Sequence, residues 1–363
     1  YSLRSLTGGD PKVVRVRRDT DNAEQDFTAS GISSGALVDF ATSGNGVFAN
    51  TGYESFTNAS ASGFTASNTG STGFAVSDIL DGVSGDAVSV SFDIDITNGS
   101  PTISLRTALS GGSTASNGIV YTTSGSKTAT LTGNKSYAGI GFTEGDAPSN
   151  FTVSNFKVLG NGFVETWYDQ SGNSKDATQA TANLQPKIVN AGSLLTDGID
   201  FDGTSQAGLI TGSFSLTQAF TTFSVSHTDD ASSFQGIWST AANTVTNINS
   251  TSFFGNNDGF AVTAGNILTT AGTIDYVADR TYLRTNVVNG GSSSIFVDGA
   301  TGATGNAGST NPSGILILGY FRSTSYFNLD GAIKELIIYD SDQTSNRAAL
   351  ETNIAAANGV TLS

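Results

Sequence analysis

The stretch "ETWYDQSGNSKD", residues 165–176, brings acids, amides, two aromatic rings and a Gly-Asn turn close together, the kind of set that could hold a catalytic carboxylate. Hydrolysis of a glycosidic bond needs two carboxyl groups about 5–9.5 Å apart. Asp169 has Glu165 and Asp176 near it in the chain, which is no guarantee of facing partners. The alternative is a turn in which Asp169 and Asn173 bond their own backbone, as Asp and Asn commonly do. Trp167, Tyr168, Asp169, Gln170 and Asn173 then form a signature of the fold, and no catalytic residue is assigned. His227 is the sole histidine and cysteine is absent, so thiolate and multi-histidine zinc chemistry are excluded and a histidine triad would rest on one residue. His227 alternates with Phe223 and Val225, which places it as a packed side chain on an inward face. The "DTDN" run at residues 19–22 and the acids between Asp197 and Asp202 could hold calcium, which takes several oxygen ligands. The first lacks the glycine of an EF-hand loop. No metal site and no cofactor is assigned.

Sugars present both apolar and polar surface, so a site for them needs exposed rings beside amide, hydroxyl or carboxylate groups, and loops are its natural place. "GIWSTAANTVTNINS", "FFGNNDGF" and "YFRSTSYFN" offer Trp238, Asn256, Asn257, Asp258, Tyr320, Arg322 and Tyr326 as glycan-binding candidates. Trp238 and Tyr320 stand beside strands and could equally fill a core. The sequons at Asn58, Asn98, Asn150 and Asn249 fall in a chain rich in Asn, Ser and Thr, where they arise by chance.

The elements that must position these residues are strands. With 44 Gly, 5 Pro and charged residues at 13%, the 363-residue chain suits short strands and many turns better than long helices. "DAVSVSFDIDI" sets Val88, Val90, Phe92, Ile94 and Ile96 on one face and Ser89, Ser91, Asp93 and Asp95 on the other. "VVRVRR" places Val14 and Val16 opposite Arg15 and Arg17, with Asp19, Asp21, Glu24 and Asp26 close enough to pair the arginines. Ile315 to Leu318 is apolar on both faces, as a covered central strand would be. Only "TSNRAALETNIAAANG" reads as a helix, capped by Thr344 or Ser345, with Leu350 and Ile354 on one face and Gly359 ending it. A net charge of −15 disfavours nucleic acid as a partner, since binding phosphates requires a surplus of Lys and Arg. No stretch approaches the ~18 consecutive apolar residues of a membrane span. Without a methionine, even at position 1, the chain reads as a processed or partial product.

"YSLRSL", "VVRVRRDTDNAEQDF", "GFVETWYDQSGNSKDATQ", "QPKIV", "GIDFDGTSQAGL" and the closing "LDGAIKELIIYDSDQTSNRAALETNI" together resemble the concanavalin A-like sandwich domain related to laminin G modules. Domains of that family occur in phage virion proteins, and they share "WYDQSGN" with arabinofuranosidase B-type glycoside hydrolases. The resemblance covers both ends of the chain and skips its middle. Between "ALVDF" at residues 36–40 and "GFVETWYDQ" stands an intervening segment similar to carbohydrate-binding-module jelly rolls. The expected fold is all-β: a discontinuous concanavalin A-like sandwich over 1–44 and 161–363, with a jelly roll inserted over 45–160.

The resemblance carries over no catalytic residue. The carboxylates of the arabinofuranosidase family lie outside the shared signature, that family's disulfides are impossible here, and the "E-x-D-x-x-E" strand of sandwich-fold glucanases is absent. The expectation is a non-catalytic virion or extracellular surface protein of fibre, decoration or adhesin type. Its partners would be glycans and either its own copies or neighbouring surface subunits. The alternatives are a purely structural spacer subunit and a glycoside hydrolase of the arabinofuranosidase type.

Overall fold

The computed structural model describes residues 1–363 apart from 43–46, 51–52, 54, 69–72, 79–86, 109–117, 133–138, 145–147, 205–207, 231, 242–247, 256–258, 272 and 322–326. The chain is built of antiparallel strands. One run of pairing leads from Glu24–Thr28 through Lys12–Arg18, Gly162–Trp167, Lys187–Asn190, Ile199–Asp202, Asp330–Tyr339, Phe220–Ser226 and Tyr282–Val288 to Ser293–Val297 and Ala300–Gly305. A second run joins Ala177–Thr178, Leu209–Ser215, Ser313–Leu318, Gln235–Ala241, Ile248–Gly255, Gly259–Thr263 and Ile267–Thr269. Pairing of Trp167 with Ala177 links the two. Val14, Val164, Trp167, Phe220 and Ile333 from the first run meet Leu209, Trp238, Phe260 and Leu316 from the second in one apolar core, so the two layers form a β-sandwich.

The outer face of the first layer is covered as well. The closing helix Arg347–Asn358 lays Ile354 and Ala355 on Phe223, Val225 and Leu283, flanked by Leu350 and Val360. This is why every residue of Phe220–Ser226 is buried, and why Phe223 and Val225 face the helix and not the space between the layers. The helix begins one residue after Asn346, whose side chain makes no capping bond, so the expected caps at Thr344 and Ser345 are displaced. Gly359 ends it in the left-handed region at φ 70°, where an L side chain would be strained. Two short helices, Ala29–Ser33 and Ala36–Ala41, also exist, although only the closing segment reads as helical in the sequence.

In Lys12–Arg18 the alternation read from the sequence holds from Val14 to Arg17, because the register shift against Gly162–Trp167 is taken up at Glu165, while Val13 is the extra residue of a bulge in the pairing with Glu24–Thr28. Val13, Val14, Val16 and Arg17 are all buried. Arg17 donates to Gln185 Oε1 at 2.7 Å and Asn22 Oδ1 at 2.9 Å, and its guanidinium lies 5.0 Å from the centroid of the Phe163 ring. Arg15 stays at the surface and pairs with Asp26 at 2.8 Å.

Residues 48–158 make two further five-stranded sheets. One runs Gly125–Thr132, Ala87–Asn98, Ser149–Val158, Gly63–Asn68, Ser55–Ser60. The other runs Ala49–Asn50, Gly73–Asp78, Gly139–Glu144, Ile103–Ala108, Ile119–Tyr121. Val90, Phe92 and Ile94 point into an aromatic core in which Phe92 and Phe142 meet edge to face at 5.1 Å and Phe48 and Phe156 do the same. The two ends of this segment lie together. Thr42 Cγ2 and Leu159 Cβ each stand 3.3 Å from the point a Cβ on Gly192 would occupy.

Candidate functional site: a rim cleft beside the signature turn

The strand Gly162–Trp167 delivers its last side chain, Trp167, fully buried into the core, with the Tyr1 ring 5.8 Å away. Tyr168 then turns outward, and its hydroxyl donates to Asp26 Oδ1 at 2.7 Å. Burial and this bond push the Tyr168 phenol up to about 12. Burial alone would raise the Asp26 carboxyl, but hydrogen bonds from Lys12, Tyr168 and Arg15 outweigh it and bring Asp26 down to about 2. Gln170 is buried and holds the segment before the first strand. Its Nε2 donates to Ser2 O and Arg4 O, both at 3.0 Å, and its Oε1 accepts from Leu6 N at 2.8 Å.

Asp169 is occupied by its own turn. Its Oδ1 accepts from Ser171 N at 2.8 Å, and its Oδ2 accepts from Ser171 Oγ at 2.9 Å and Lys175 N at 3.1 Å. Burial works against the charged form, yet the bonds from Ser171 and Lys175 keep this carboxyl below its ordinary value. Such a group is a poor proton donor at neutral pH. Asp176 Oδ1 accepts from Asp169 N at 2.8 Å, so it too serves the turn, and the Glu165 carboxylate accepts from the neighbouring Thr166 hydroxyl.

The turn forms one wall of a cleft of about 650 Å3 at the rim of the sandwich. Four separate segments meet there: the first residues, the turn, the end of Leu209–Ser215, and the end of Asp330–Tyr339. Tyr1 and Phe214 supply rings, Asn173 and Ser215 supply an amide and a hydroxyl, and Lys175 and Asp340 supply opposite charges. The volume lies within the ~300–1,000 Å3 typical of small-molecule sites. Sequence reading missed this cleft because no two of its walls are neighbours in the chain; the exposed Ser-Gly-Asn of the turn was the one local hint.

The residues proposed from sequence for sugar contact are elsewhere. Trp238 lies in the middle of Gln235–Ala241, a strand paired on both sides, and only 1% of it is exposed. Tyr320 is buried with Ala241 and Ile317 on the outer face of the second layer, where its carbonyl accepts from Ser239 Oγ at 2.9 Å. Neither can meet a ligand in solution. Asn256, Asn257, Asp258, Arg322 and Tyr326 lie outside the described residues.

At the opposite end of the sandwich Asp200, Asp202, Asp229, Asp230 and Asp330 gather. Burial raises the Asp330 carboxyl, and repulsion from Asp229, Asp230 and Asp202 raises it further. Asp200 is raised by burial, with Asp229 and Asp330 adding to the rise and Lys187 and His227 opposing it. His227 Nε2 sits 3.1 Å from Asp229 Oδ1. Among the described residues no group of three or more His, Asp or Glu side chains is arranged to hold a metal ion. In the other proposed calcium run Asp19 accepts from Asn161 and Asp21 pairs with Arg18.

No family model and no curated protein sequence matches the chain. Several solved structures are similar in fold. A heptameric pentraxin from Limulus polyphemus shares 12% identity over 43% of this chain and 82% of its own, with a TM-score of 0.35. A Trypanosoma rangeli sialidase in complex with sialic acid shares 10% over 84% of this chain, with a TM-score of 0.37, and the chain spans 62% of the sialidase's length. A candidate carbohydrate binding protein from Bacteroides ovatus shares 13% over 76% of this chain and 77% of its own, with a TM-score of 0.30.

Proposed function

We propose that this chain is a non-catalytic surface protein, of virion or extracellular type, that binds neutral glycans in the rim cleft beside Asp169. The observation that carries the reading is the cleft's composition: the Tyr1 and Phe214 rings beside the amide, hydroxyl and carboxylate groups of Asn173, Ser215 and Asp340. Rings take the apolar face of a sugar while the polar groups take its hydroxyls. A net charge of −15 opposes polyanionic ligands and leaves neutral sugars as the favoured class. Single contacts of this kind are weak, and display of many copies would raise their avidity through high effective concentration.

Asp169 and Asp340 share the cleft, which keeps a glycoside hydrolase in view as the second reading. What speaks against it is that Asp169 is held ionised by three bonds within its own turn, so it offers neither a proton nor an unoccupied nucleophilic oxygen. Calorimetric titration with a panel of neutral oligosaccharides tests the proposal. Binding that weakens at least tenfold in Phe214→Ala and in Asn173→Ala is expected. A panel without binding, or binding indifferent to both substitutions, would overturn it. Sugar release from the same panel, lost in Asp169→Asn and in Asp340→Asn, would establish the hydrolase instead.

A further inference from the structure

We infer that a second copy of this chain docks on the outer edge of the strand Gly125–Thr132, by antiparallel pairing about a two-fold axis at Ala129. The edge of a sheet presents a row of N–H and C=O groups ready to pair with another strand, and proteins normally blunt such edges with bulges, charges, short strands or covering elements. The edges of this molecule differ in that respect. Glu24–Thr28 carries Glu24 and Asp26, so two copies meeting there would repel. Ala300–Gly305 carries a bulge at Gly302, where its register against Ser293–Val297 shifts. Ser55–Ser60 is broken by a register shift and by Asn58 at φ 55°. Ala49–Asn50, Ile119–Tyr121, Ile267–Thr269 and Ala177–Thr178 are three residues or fewer.

Gly125–Thr132 is neither short nor bulged nor, among the described residues, covered by another strand, and its one charge is Lys127. Its eight residues pair with Ala87–Asn98 in unbroken register, from Gly125 opposite Ile94 to Thr132 opposite Ala87, and among the described residues it pairs with no other strand. It contains no acid. In a chain of net charge −15, where most surfaces of two copies repel, that makes it a place of least repulsion.

Its sequence is also self-complementary. Antiparallel pairing centred on Ala129 sets exposed Thr128 against Thr130 of the second copy and Lys127 against Leu131, with no like charges opposed. The facing sheet supports the contact. Lys127 Nζ lies 6.0 Å from the Tyr121 ring centroid, so the edge strand Ile119–Tyr121 is on the same flank, and there Val120 is 53% exposed. This inference does not depend on glycan binding.

Sedimentation equilibrium of the whole chain, from micromolar to about millimolar concentration, tests it. The parent protein is expected to show a monomer–dimer equilibrium. The double variants T128E/T130E and T128K/T130K, both at exposed positions, should each dimerise at least tenfold more weakly while melting at the parent's temperature. Mixing the two should restore a one-to-one dimer, because each introduced glutamate then meets a lysine. A parent that stays monomeric throughout, or a double-glutamate variant that assembles as tightly as the parent, would overturn the proposal.

Discussion

Gln170 uses both ends of its side chain on residues more than 160 positions earlier: its amide nitrogen on the carbonyls of Ser2 and Arg4, its oxygen on the Leu6 N–H. Replacing it with alanine would strand these groups in a buried setting, where each unpaired polar group costs about 1–3 kcal/mol. The expected loss for Gln170→Ala is about 2–4 kcal/mol on the same scale, read as a lower urea midpoint with an unchanged slope. An unaltered midpoint would mean that water replaces the side chain. At this scale the turn itself was legible, because Asp, Gly and Asn bond locally and announce it. The partners of Gln170 were not, since nothing local in "YSLRSL" says which carbonyls will need a donor.

At the scale of elements, the ten-residue strand Asp330–Tyr339 spans roughly 33 Å at about 3.3 Å per residue and so separates the two rims. The cleft is at one end and the crowded acids are at the other. Two carboxyl groups, Asp330 and Asp26, should respond to pH with opposite sign. Asp330 keeps its proton above the ordinary carboxylate value, so the folded chain binds more protons than the unfolded one in that interval. Stability from this group is present at low pH and is lost as pH rises from about 4 through the folded value. Asp330→Asn should therefore raise the melting temperature at pH 7 and change it little at pH 3.5. Asp26 behaves in reverse: with its carboxyl brought down to about 2, its contribution is present above about pH 4 and disappears as pH falls toward 2. Asp26→Asn should flatten acid unfolding in that interval, with thermal melts across pH as the measurement. The strands themselves were readable where alternation was clean, as in Ala87–Asn98. In Lys12–Arg18 it set Val14 and Val16 in the core as expected but left Val13 out, because the bulge that buries Val13 leaves no mark in composition.

For the whole molecule, we read residues 45–160 as a domain inserted into a loop of the larger sandwich. Supporting this, Thr42 and Leu159 flank the same glycine, Gly192, and the apolar cluster of residues 48–158 shares no member with the core of the larger sandwich. An ion pair between the two parts, Lys157 with Asp39 at 3.5 Å, is exposed and contributes about 0–1 kcal/mol. Joining Thr42 to Leu159 through two glycines should leave a chain that unfolds cooperatively within a few degrees of the parent, and residues 45–160 expressed alone should melt as a unit. Loss of cooperative melting in both products would show that the two parts stabilise one another.

Alternation of apolar and polar side chains, the abundance of glycine over proline, and one amphipathic segment near the end were enough to settle an all-β chain with a closing helix, because strand and helix periods are local properties of a peptide. Burial is not local. Trp238 and Tyr320 appear beside loops in the sequence, yet pairing on both sides of one and packing on the outer layer of the other take them out of reach. The cleft came from the tertiary structure alone: its walls are four segments distant in the chain, and only the closing of two sheets at one rim brings Tyr1, Asn173, Phe214 and Asp340 around the same space.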